Sequence, residues 1–343
     1  MTRSTESSWS SLSYFESHDY VLRRYSDRHH RVPNSALVKQ INSGIQQARE
    51  YFSSAERSAM SVRPLLLYYG VLSLARATVL ILDPTKREEN LRPSHGLEIV
   101  GWQTTLAAGL ASIGDVQVRV TDGTFSELVR ATQNSAWMRN NVAPYPNFAL
   151  RMRAYPFEDM LRDRPSFTLD ELLAREPSLL VAYRQATQRP SEVSLGQLFV
   201  LGEAHCDASV MHSEGVTPER VRALFELSAN DNVGFREQAV ILAFPNLWTR
   251  LPAIGLYDRL PVCEPYSDGY EAIVSNIQGT YKLARQCRLF VTAYFLGMLA
   301  RYYPSKWMAL LRNERGDAFQ PLLTQAMQTI ESRFPESVVD LLA

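Results

Sequence analysis

Residues 48–82 read AREYFSSAERSAMSVRPLLLYYGVLSLARATVLIL, and the rest of the chain is best understood as built around them. It divides into two helices just before Arg63-Pro64, because proline suits a first helical turn, where its missing N–H costs nothing. The second helix is apolar nearly all round and stops at Asp83-Pro84. A helix with no polar face is buried in the middle of a domain. Its length would also span a bilayer, but Arg76 and the pair Tyr68-Tyr69 point to a core helix and to no membrane partner. The first helix begins at Pro33 with Asn34 or Ser35 as its cap. Leu37, Ile41, Ile45, Ala48, Phe52 and Ala55 recur at spacings of three and four, which makes one apolar face opposite Lys39, Gln46, Gln47 and Glu50.

Outward from this pair the pattern changes. Residues 1–33 mix serines, aromatics and a basic run, and read as an N-terminal arm docked through Trp9, Tyr14, Phe15, Tyr20 and Tyr25. After the pair, residues 97–100 and 116–120 have the look of short strands, residues 121–124 of a turn and residues 125–132 of a short helix or strand. Residues 34–133 thus form a helical pair plus short strands. Residues 134–268 form a loop-rich mixed α/β region, its first part (134–168) dense in proline and asparagine. Within it Thr168 caps a helix running to Arg175, residues 177–188 and 218–228 are helical, and residues 198–201 and 239–244 are strand candidates. Residues 269–343 are expected to be helical (270–283, 287–303, a turn carrying Trp307, then 319–334) and to pack on residues 34–83. The fold class is α+β, mainly α, with a helical core from both chain ends and a small mixed middle region.

Bulk properties narrow the function. Thirty-six basic residues balance thirty-six acidic ones, which argues against a large basic surface for nucleic acid but leaves room for a local patch. Only Lys39, Lys86, Lys282 and Lys306 of the basic residues are lysines; the rest are arginines, which grip phosphate and carboxylate in a planar fork. Cys206, Cys263 and Cys287 make neither a disulfide framework nor a zinc motif, and the N-terminus lacks an apolar leader, so the expected compartment is the cytoplasm. No P-loop, strand-linked GxGxxG, HExxH or GxSxG occurs, and no cofactor is expected.

Residues 48–77 resemble the signature region of the YaaC-like family of bacterial proteins. Ser94-His95-Gly96-Leu97 and residues 297–307 (GMLARYYPSKW) fit the same family in the same order. The resemblance implies a bacterial protein acting mainly through protein–protein contacts, as a subunit of a defence or stress-response complex, with a protein partner or a homo-oligomer. The paired helices around tyrosines also look like the HEPN class of helical domains, many of which are metal-independent RNases. Those use an arginine four to six residues before a histidine; here Arg92 lies three and Arg87 eight positions before His95. The alternatives are therefore an RNase or toxin of that kind, with RNA as partner, and a small-ligand sensor.

Four groups of residues could carry chemistry. Arg87, Asn90, Arg92 and His95 could cleave RNA, with histidine taking the 2′-hydroxyl proton and arginine holding the phosphorane charge; the plainer reading is a turn at His95-Gly96 with the imidazole on a carbonyl. Arg301, Tyr302 and Trp307 could cradle a phosphate or stack a base, as could Arg63; the plainer reading is an arginine tie and a tryptophan core anchor. Glu203, His205 and Asp207 with His212 could hold a divalent metal, or Cys206 could be a nucleophile, although the spacing matches no strong motif and no metal site is assigned. The run Arg23 to Arg31 could touch nucleic acid, or be a solvated face. Arg49, Arg63, Tyr68, Tyr69 and Arg76 read as residues that hold the helical core together.

Overall fold

The structure is a computed structural model and describes residues 5–142, 148–201, 205–211, 217–226, 233–236, 239–245, 260–267, 269–312, 314 and 319–343. Its elements run α1 (Thr5–Ser13), α2 (His18–His29), α3 (Ser35–Arg57), α4 (Arg63–Leu82), β1 (His95–Val100), α5 (Trp102–Ala107), β2 (Gln117–Gly123), α6 (Thr124–Ala131), β3 (Ser135–Val142), β4 (Phe148–Ala154), α7 (Glu158–Asp163), β5 (Ser166–Thr168), α8 (Leu169–Leu173), α9 (Leu180–Thr187), β6 (Val193–Leu201), β7 (His205–Met211), α10 (Pro218–Leu224), β8 (Val233–Arg236), β9 (Ala239–Pro245), β10 (Val262–Pro265), β11 (Glu271–Val274), α11 (Arg285–Tyr302), α12 (Pro304–Leu311) and α13 (Phe319–Leu342). The fold is α+β and mainly helical.

Helix α4 is the centre. It is flanked by α3 on one side and α11 on the other, and three glycines set the spacing. A Cβ on Gly70 would lie 2.6 Å from the Phe52 ring, one on Gly44 would lie 3.0 Å from Ala77 Cβ, and one on Gly297 would lie 2.7 Å from Tyr68 Cβ. The expected apolar face of α3 is buried throughout, and the Asn34 side chain accepts from the Leu37 N–H at 2.8 Å as its cap. Among the described residues α4 is the one helix long and apolar enough to cross a membrane, and 67% of its most apolar window is buried inside the protein. Helix α11 is buried from Gln286 to Leu299. One apolar core joins both chain ends to the middle of the chain, as an apolar helix on all faces requires.

The strands make two sheets. β1, β2 and β5 form an antiparallel sheet, and a second sheet has the order β10-β11-β6-β7-β9-β8, with β3 pairing β4 antiparallel and the end of β6 parallel. A buried ionic cluster ties this sheet to the helices. Arg288 (1% exposed) and Arg285, in the first turn of α11, each reach Glu264 of β10 at 2.9 Å, with Glu176 at 3.7 and 3.8 Å.

Several expectations are corrected. The N-terminal arm docks as expected through Phe15 and Tyr25, with Trp9 and Tyr20 packed against the common core, but it does so as two helices that also bury Leu12 and Val21, and Tyr14, expected to dock, stays exposed. The loop expected over 134–168 contains the β3–β4 pair, α7 and β5. The turn expected at 121–124 is the end of β2 running into α6. The helix expected over 270–283 is β11 followed by turns; Glu271-Ala-Ile-Val is buried on both faces between β10 and β6, and a doubly buried strand reads like a helix in a short apolar run. The last helix runs past Phe334 and through Pro335 to Leu342. Burial of Val338, Val339 and Leu342 offsets the missing proline N–H, and Arg24 and Arg28 donate to its final carbonyls.

Candidate functional site

Three elements meet at one rim. Helix α4 supplies Tyr68 and Tyr69, β1 opens on His95, and α11 supplies Tyr294 and Arg301. His95 is rigidly placed. The next residue, Gly96, has φ +78° and sits against Phe125, where a Cβ would lie 2.8 Å from the backbone nitrogen, so only glycine fits. The preceding residue, Ser94, accepts from the Thr124 N–H at 2.9 Å and donates from its hydroxyl to the Asp122 carbonyl at 2.8 Å. Gly297 on α11 gives Tyr68 its place, since any side chain there would strike the tyrosine.

The contacts form one network. Tyr68 Oη and His95 Nδ1 are 2.6 Å apart. The Tyr68 and Tyr294 rings pack edge to face at 5.4 Å, and His95 lies 5.4 Å from the first and 5.6 Å from the second. Arg301 donates to Tyr69 Oη at 3.0 Å and lies over the Tyr302 ring at 5.1 Å. Tyr68 is fully buried, His95 is half-buried, and Arg301 and Tyr302 are exposed. Burial pushes the His95 pKa down, and the nearby Arg301 charge adds to that effect, so the imidazole is neutral at neutral pH. Burial, helped by Tyr294 and Tyr69, raises the Tyr68 phenol far above its ordinary value, against an opposing pull from Arg301. Burial, Tyr302 and Glu98 push Tyr294 up to about 12. The rim therefore combines a neutral imidazole, a permanent guanidinium and an exposed aromatic face. That set can receive an anionic oxygen and stack a planar group.

The residues singled out from sequence divide sharply. His95, Arg301 and Tyr302 converge, although 206 positions separate the first two. Arg92 lies beside them in sequence but pairs with Asp122 at 3.1 Å, a carboxylate it shares with Arg164. Arg87 donates to the carbonyls of Pro84 and Lys86 within its own loop, and Asn90 closes that loop by accepting from the Arg87 N–H at 2.8 Å. Trp307 is buried and donates to the Met60 carbonyl at 3.0 Å, which is an anchor. Arg63 pairs with Glu331 at 2.5 Å and pins α4 to α13. In the run from Arg23 to Arg31, Arg24 and Arg28 hold the chain end, and His29 Nε2 contacts the Ile81 carbonyl at 2.7 Å. Glu203 and His212 lie outside the described residues; His205, Cys206 and Asp207 lie in β7. Among the described residues no group of three His, Cys, Asp or Glu is placed to hold a metal.

Sequence reasoning did not pick out Tyr294 or Gly297 as parts of a site. A signal existed: Phe290, Tyr294, Gly297 and Arg301 follow at spacings of four, three and four, which is one face of α11. That face meets Tyr68 and His95.

Two comparisons with known proteins return nothing: no curated protein and no solved structure matches the chain. The model of the YaaC-like protein family matches residues 13–342.

Proposed function

The chain belongs to the YaaC-like family, and we propose that it is an RNA-binding subunit of a bacterial defence or stress-response complex, with the rim of His95, Arg301 and Tyr302 as its RNA contact. One observation carries this reading: an exposed guanidinium and an exposed tyrosine face stand beside a half-buried neutral histidine on one rigid tyrosine platform. Arginine matches a phosphate in a fork of two hydrogen bonds, and tyrosine offers a stacking face to a base of any sequence. The family resemblance supports the part about a complex, which is analogy.

The test is titration of a fluorescent single-stranded RNA with the purified protein. Binding should weaken as salt rises, and Arg301→Ala should weaken it about tenfold or more, the worth of a lost charge-assisted hydrogen bond. Unchanged binding in Arg301→Ala refutes the assignment. The imidazole beside a guanidinium also favours a second reading, metal-independent RNA cleavage. Hydrolysis in the presence of a chelator, abolished by His95→Ala, would establish that activity instead.

A further inference from the structure

We infer that Tyr68 is a positioning residue that locks His95 in the tautomer with its proton on Nε2, so that the rim offers a phosphate oxygen a neutral N–H donor and not a base. The inference rests on the RNA-binding reading for its ligand, but not for the lock itself. Tyr68 is fully buried, and its hydroxyl hydrogen must go to an acceptor, because an unpaired buried donor is costly. His95 Nδ1, at 2.6 Å, is the hydrogen-bond partner the structure gives that hydroxyl. The phenol stays protonated, since burial opposes its ionisation. It therefore donates to Nδ1, which must carry the lone pair, and the single imidazole proton is left on Nε2.

The same geometry resists a second proton. An imidazolium would present Nδ1–H to the Tyr68 oxygen and leave the phenol hydrogen without its acceptor. The groups around the ring add to this. Tyr294 packs against it from α11, Arg301 contributes a positive charge from the same helix, and Tyr69 holds that arginine from α4. Glu98, on the same strand as His95, acts on Tyr294. General-base cleavage needs a free nitrogen lone pair facing the ligand, and in this tautomer the lone pair is spent on Tyr68. The site so described binds a phosphodiester and leaves it intact.

The experiment is two-bond proton–nitrogen NMR on protein with ¹⁵N-labelled histidine at neutral pH, with the His95 signals assigned by their loss in His95→Gln. The expected pattern is a bare Nδ1 and a protonated Nε2 in the wild type. Tyr68→Phe keeps the ring against Gly297 and removes only the hydroxyl; it should give a mixture of tautomers and weaken RNA binding by about two- to tenfold. A wild-type protonated Nδ1, or a Tyr68→Phe spectrum unchanged in tautomer, overturns the lock. If the tautomer is as stated and neither protein binds the RNA probe, the lock stands and the RNA-binding reading falls. Chelator-resistant cleavage of the probe by the wild type, lost in His95→Gln, overturns the donor role.

Discussion

Glu271 opens β11 in the middle of the second sheet, opposite Gly196 of β6 and Pro265 of β10, with 1% of its surface exposed. Burial there, with a smaller push from the Glu264 carboxylate, raises its pKa from 4.5 to about 8, against the opposing pull of the Arg139 backbone and charge. The folded protein therefore holds a proton on Glu271 through neutral pH, while the unfolded chain releases it near pH 4.5. Between those values the folded state binds one more proton than the unfolded state, so stability must fall as pH rises. The slope approaches 1.4 kcal/mol per pH unit, and over the 3.5-unit window the loss is about 5 kcal/mol. Above pH 8 it levels off, and below pH 4.5 the stabilisation is fully present. Glutamine has nearly the same shape, keeps an acceptor for the Arg139 backbone, and does not titrate. Glu271→Gln should thus gain on the wild type by about 2.5 kcal/mol between pH 6 and pH 8. The assay is urea unfolding followed by circular dichroism for both proteins at pH 6, 7 and 8. Other titrating groups, including His95 with its lowered pKa, contribute equally to both chains and cancel in the difference. Parallel stability curves across this range would refute the argument that burial holds the carboxyl protonated.

Two further perturbations test the framework that carries the site. Gly297→Ala should destabilise by about 1–2 kcal/mol in thermal or urea unfolding, because a methyl group 2.7 Å from Tyr68 Cβ costs more than the better helix propensity of alanine returns. It should also shift the His95 resonances, and a gain in stability with an unchanged spectrum would contradict the packing described. Glu264→Gln should cost about 3–5 kcal/mol, since it leaves Arg285 and Arg288 buried without the carboxylate that each meets at 2.9 Å. A neutral result in urea unfolding would show that the cluster is hydrated.

Much of the helical body is legible from residue spacing. The Asn34 cap, the one-sided face of α3 and the Arg63-Pro64 start of α4 follow from local rules, because caps, prolines and apolar periodicity act within a few residues. The family resemblance drawn on residues 48–77, 94–97 and 297–307 has the same source, and the family match covers nearly the whole chain. The strands of the second sheet were harder. Glu271-Ala-Ile-Val has no alternation to betray it, since both faces are covered, and the β3–β4 pair is hidden by the proline- and asparagine-rich composition of residues 134–168.

The site divides along the same line. That α4 is buried, that His95-Gly96 marks a special backbone position and that Arg301 ends a helix can all be read from the chain alone, because each depends on neighbours close in sequence. It takes the packed fold to bring His95 and Arg301 to one rim, to set Tyr68 on Nδ1, and to commit Arg87, Arg92, Arg63 and Trp307 to the loop, Asp122, Glu331 and Met60 instead. The difference is one of range. Capping, turn chemistry and hydrophobic period are local, whereas the choice of partner for a long arginine or a buried hydroxyl depends on which groups packing brings within 3 Å, and those lie up to 319 positions apart in the chain.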